Sequence, residues 1–129
     1  MTLRDIKNQT EEICKIAVQQ NGRALEYVNN QTYEICKLAV KQNGSSLRYV
    51  FLEYRTDELC KIAVQSNGNA LQYVENQTRE ICILALNWTL YTRTSPKFII
   101  QHIKDDNLKK EICLRNMFTL LYQQYNRII

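Results

Sequence analysis

Five cysteines, a single histidine and a recurring glutamate are the side chains of this 129-residue chain with the chemistry to attack, protonate or ligate a substrate. The thiols stand at Cys14, Cys36, Cys60, Cys82 and Cys113, each directly after Ile or Leu. Nucleophilic catalysis needs a thiol beside a base that is itself held in place. Only His102 is available as that base, and it stands among Ile99, Ile100 and Ile103, where a half-buried packing role accounts for it better. No Cys-x-x-Cys pair exists, and one histidine does not complete the usual ligand spacing of a zinc site. An odd thiol count at helix-like positions is not a secreted disulfide framework, so the cysteines read as small apolar core residues. Glu12, Glu34, Glu58, Glu80 and Glu111 form a ladder. Acid–base catalysis needs two close carboxylates in different environments, whereas one carboxylate per helix start simply opposes the positive end of the helix dipole. Each glycine stands alone, so no loop cradles a phosphate. The expectation is a chain with no catalytic residue, no cofactor and no metal.

The composition bounds what remains. A net charge of +4, from 17 basic and 13 acidic residues without a basic arm or acidic tail, is modest for a phosphate binder. With 45% hydrophobic residues the chain is neither disordered nor membrane-like, and its length fits one domain. Three Gly and one Pro argue against a turn-rich all-β fold. The longest apolar run, Ile81 to Leu86, is far short of the ~20 residues of a spanning helix. The start, MTLRDIKNQT, lacks an apolar signal core, so the expected location is intracellular. The Asn-x-Ser/Thr triplets at Asn8, Asn30, Asn43, Asn76 and Asn87 then read as turns and caps rather than glycan acceptors.

The elements that position these residues emerge from self-comparison. From Thr10 the chain reads TEEICKIAVQQNGRALEYVNNQ, from Thr32 TYEICKLAVKQNGSSLRYV, from Thr56 TDELCKIAVQSNGNALQYVENQ, and from Thr78 TREICILALNW. The cysteines are separated by 22, 24, 22 and 31 residues. Each unit reads as two short helices. A threonine N-caps the first, which carries a broad apolar face and leaves Lys15 and Gln19 toward water. Asn-Gly is expected to stop it through a left-handed glycine. Ala24, Leu25 and Val28 line the second helix, with Tyr27 adjacent. Helices of about ten and about seven residues are marginal alone, so stacking is the physical solution.

The expected fold is therefore all-α: short two-helix repeats of 22–24 residues stacked as a small α-solenoid. A half repeat spans residues 2–9, repeats span 10–31, 32–55, 56–77 and 78–104, and a C-terminal capping helix spans 105–129. In the fourth copy, Trp88 to Arg93 extend or unwind the helix, and Ser95-Pro96 start a segment over Lys97 to Lys104.

The segments ICKLAVKQNGSSLRYV and LCKIAVQSNGNALQYV resemble the short tandem helical repeats of mimivirus-type giant-virus proteins, in which an apolar helix ends in V-x-Q-N-G and A-L-x-Y-V comes after it. The resemblance covers residues 1–86 well, 97–113 weakly and the last helix not at all. It implies a viral source, a helical-repeat fold, and a place in the host cytoplasm or virus factory. It implies no activity, because that repeat family has none assigned. This chain departs from the pattern in a two-residue insertion around Phe51 to Tyr54 and in the missing Asn-Gly of the fourth copy.

The chain supports two functional expectations. A stacked array offers an extended surface to a protein partner, viral or host. Phe51, Leu52, Tyr54, Trp88 and Tyr91 are the candidate contacts, and the apolar tail with Phe118, Leu121, Tyr122 and Tyr125 is a candidate homo-oligomer contact. The alternative is a nucleic-acid-binding array using the Lys15, Lys37, Lys61 row and the Tyr27, Tyr49, Tyr73 column. The interruption of the lysine row by Ile83 and the adjacent glutamates argue for the first.

Overall fold

The computed structural model describes residues 2–115, and every regular element among them is helical. Three helices of identical length come first: α1 (Glu11–Gln20), α2 (Tyr33–Gln42) and α3 (Asp57–Ser66). The longer α4 (Arg79–Thr92), the short α5 (Lys97–Gln101) and α6, helical from residue 106 to 115, complete the order.

Each of α1 to α4 begins where a threonine hydroxyl accepts an otherwise orphaned amide. Thr10, Thr32, Thr56 and Thr78 take the N–H of Ile13, Ile35, Leu59 and Ile81 at 3.2 to 3.3 Å. The first three end at Asn21, Asn43 and Asn67, whose backbone is extended, with φ from −149° to −152°. The same asparagines cap the next segment, since their side-chain oxygens accept from Arg23, Ser45 and Asn69 N–H groups. One residue thus closes one element and opens its successor.

The second half of each unit is a 3-10 segment rather than an α-helix: Gly22–Tyr27, Gly44–Tyr49 and Gly68–Tyr73. Both its ends are tied by i to i+3 bonds, as in Ala24 N–H to Asn21 O at 2.9 Å and Val28 N–H to Leu25 O at 3.1 Å. A six-residue piece closed that tightly has no length in which to build an α ladder. The glycines also differ from expectation. No glycine has a positive φ; the sole left-handed residue among those described is Arg93, which ends α4.

What the glycines supply is closeness. A Cβ at Gly22 would lie 2.5 Å from the carbonyl oxygen of Ala39 in the next helix, and one at Gly68 2.5 Å from that of Ala85. At Gly44 the clash would fall on the carbonyl of Ala63 and the amide of Asn67. Each 3-10 segment consequently sits against its own helix and the one after it. Leu25, Leu47 and Leu71 from the segments and Val18, Val40 and Val64 from the helices are fully buried between these layers. Burying each leucine contributes on the order of 2 kcal/mol, which is what holds helices too short to persist alone.

The insertion forms a small 3-10 turn, Leu52–Tyr54, that projects without parting α2 from α3. In the fourth unit α4 runs a turn longer than its predecessors, and α5 packs on the Gly68–Tyr73 segment where another 3-10 piece would sit. Of the span expected from Lys97 to Lys104, only Lys97–Gln101 is helical; Ile99 and Ile103 are its buried residues. Among the described residues no helix is long and apolar enough to cross a membrane.

Candidate interaction surface

Four of the five thiols are turned inward, and Cys113 is exposed. Cys14, Cys36, Cys60 and Cys82 are buried, and burial raises the pKa of each, pushing the Cys36 thiol up to about 11. Three of them point the thiol at a glutamine oxygen: Cys14 at Gln9, Cys36 at Gln31 and Cys82 at Gln77, with sulfur–oxygen distances of 3.8, 3.4 and 3.9 Å. Such thiols are poor nucleophiles. His102 is half-buried, its ring 4.4 Å from that of Phe98 and its Nδ1 2.8 Å from the Phe98 carbonyl oxygen. The described residues contain no group of three or more His, Cys, Asp or Glu side chains arranged to hold a metal ion.

Two lysines of the row are answered by carboxylates. Lys15 Nζ lies 3.2 Å from Glu11, and Lys61 Nζ 2.8 Å from Glu80 of the following helix. Hydrogen bonding to these partners raises the pKa of both lysines. Lys37 is half-buried and has no such ion pair among the described residues. The tyrosine column is likewise engaged: the Arg48 guanidinium stands 5.1 Å from the Tyr49 ring centre and 5.9 Å from that of Tyr73. Tyr27 lies at the exposed end.

The five candidate contact residues separate. Phe51 and Leu52 are exposed beside the first turn of α3, where Leu52 shares a shallow pocket with Asp57 and Cys60. Tyr91, 90% exposed, stands beyond the last turn of α3, in a pocket with Gln65 and Leu84. A ten-residue helix, about 15 Å long, lies between the two patches, so they are not one site. Tyr54 and Trp88 pack against the core, with the Trp88 ring close over Gly68. Leu90, inside the candidate Trp88 to Tyr91 stretch, is 78% exposed beside Tyr91. Phe118, Leu121, Tyr122 and Tyr125 lie outside the described residues.

One set went unseen: the residue before each capping threonine. Gln31 is buried, donates to Tyr49 O at 2.7 Å and accepts from Phe51 N at 2.9 Å. Gln9 does the same with Tyr27 O and Asn29 N, and Gln77 with His102 O and Lys104 N. In the unit with the insertion Arg55 takes over, donating to Val50, Tyr73 and Arg48 carbonyls at 2.9 to 3.2 Å. The signal was present in the repeated Asn-Gln-Thr triplets. The Gln77 contact also confirms that His102 takes the tyrosine place of the repeat.

These features define an all-α protein of stacked helix and 3-10 units, with Lys15, Lys61, Tyr49 and Tyr73 engaged within the protein and apolar side chains on its edges. A family described as a domain of unknown function (DUF4116) matches residues 32–79, from the N-cap of α2 to the first residue of α4. Neither a curated protein nor a solved structure matches the chain.

Proposed function

We propose that this chain is a non-enzymatic protein-interaction module, of giant-virus origin and acting inside the host cell. The observation that carries this reading is the exposure of Tyr91 (90%) and Leu90 (78%) at the end of α4, on a stack in which Lys15 and Lys61 of the lysine row are already paired. Large apolar side chains held in water contribute to binding when a partner covers them. A phosphate backbone, in contrast, would have to displace Glu11 and Glu80 before it met Lys15 and Lys61. The source is supported by the repeat pattern I-C-K-L-A-V-K-Q-N-G and its neighbours.

Affinity capture from infected cells, with and without nuclease, tests the reading. Proteins retained by the natural chain after nuclease and lost with Leu90→Ser/Tyr91→Ser are the expected result. Recovery that collapses with nuclease, together with salt-sensitive oligonucleotide retention abolished by changing Lys15, Lys37 and Lys61 to Glu, would move the assignment to nucleic acid.

A further inference from the structure

Every first helix has two apolar faces, and the internal units show what covers each. One face carries the residue before the cysteine and the alanine four positions on: Ile35 and Ala39, Leu59 and Ala63, Ile81 and Ala85, all fully buried. The other carries the cysteine and the valine four positions on: Cys36 and Val40, Cys60 and Val64.

Helix α1 separates the two, because the element described before it is the short 3-10 turn Leu3–Asp5 rather than a full unit. Cys14 and Val18 are buried there, whereas Ile13 and Ala17 are only half-buried and Ile16 is 56% exposed. The cysteine face therefore meets the following unit and the isoleucine face the preceding one. Helix α6 is the mirror case. Ile112, before its cysteine, is buried, while Cys113 and Leu114 are exposed. Among the described residues, one face of each kind is thus left without the neighbouring unit that covers it elsewhere. At the head, Leu3, Ile6, Ile13, Ile16 and Ala17 line an open groove of about 380 Å³. At the tail, Lys109, Lys110, Cys113 and Leu114 border an apolar depression of about 570 Å³.

We propose that copies of this chain associate head to tail, the Cys113 face of α6 seating on the Ile16 face of α1 in a second copy. The contact continues the interface already made between α1 and α2, α2 and α3, and α3 and α4. The two faces differ, so the contact is heterologous and propagates into a linear assembly rather than closing as a two-fold dimer. It is separate from the Leu90–Tyr91 edge and stands whatever that edge binds.

Sedimentation velocity on the full chain across a concentration series tests it, with Ile16→Glu blocking the head and Cys113→Glu the tail. The natural chain is expected to grow past dimer with concentration, and each variant alone to remain monomeric. An equimolar mixture of the two variants should give one species of twice the monomer mass that grows no further, since it retains a single good head and tail. Far-UV circular dichroism checks folding, and Leu114→Glu substitutes should Cys113→Glu fail to fold. A natural chain that stays monomeric, a mixture that stays monomeric, or either variant alone still forming dimers would overturn the proposal.

Discussion

The thiol column sets the residue scale. Four cysteines sit in the core with raised pKa values and Cys113 lies at the surface. Ellman's reagent should therefore modify one thiol promptly in the native protein at concentrations where it is monomeric, and the other four only on unfolding; more than one fast thiol contradicts the burial. The buried thiols also fix a pH response. Their folded pKa lies above the unfolded value of about 8.5, so the folded state keeps protons that the unfolded chain loses. Stability is then fully present below the unfolded value and declines as pH rises toward about 11 for Cys36. Urea midpoints should fall over that window, and less steeply for Cys36→Ala. Ser46 is the opposite kind of residue. Its hydroxyl is buried without a hydrogen-bond partner, where Ala24 and Ala70 occupy the same place in the neighbouring units. Ser46→Ala should stabilise the protein by about 1 kcal/mol, read as a raised melting temperature.

At the scale of elements the glycines are the informative position. Were Gly44 present for its backbone freedom alone, alanine at its negative φ would stabilise by about 0.4–1 kcal/mol. Because a Cβ there meets the backbone of α3, Gly44→Ala should instead destabilise by about 2 kcal/mol or more, and urea unfolding distinguishes the signs. The repeat, the threonine caps and the helix stops at Asn21, Asn43 and Asn67 were legible in the sequence, since each is a local matter of side chain and adjacent backbone. The 3-10 form of the second half was not, because i to i+3 and i to i+4 bonding share the same short apolar spacing. Nor was the reason for the glycines, which lies in a helix about 20 residues away.

Across the whole molecule, a forked ion pair ties α6 to α4. Arg79 donates to both oxygens of Glu111 at 2.8 and 2.7 Å, and Arg115 lies 2.9 Å from the same carboxylate. Hydrogen bonding from Arg79 lowers the Glu111 pKa. A depressed carboxylate stabilises above its unfolded pKa and loses that contribution as pH falls through the folded one. Glu111→Gln should accordingly melt earlier than the natural chain at pH 7, with the gap closing well below the ordinary glutamate value of about 4.3. A gap unchanged in acid would mean that the pair does not hold α6.

Sequence by itself determined the all-α repeat, because caps, stops and apolar period act within a few residues of their causes. It also marked the tyrosine, lysine and cysteine columns, which recur with the unit. Only the tertiary structure decided what those columns do. Lys61 meets its carboxylate on the next helix, Gln31 staples carbonyl and amide groups 18 and 20 residues away, and Phe51–Leu52 and Tyr91 fall at opposite ends of α3. Such pairings arise from how one unit lies on the next, and a period along the chain does not encode that offset.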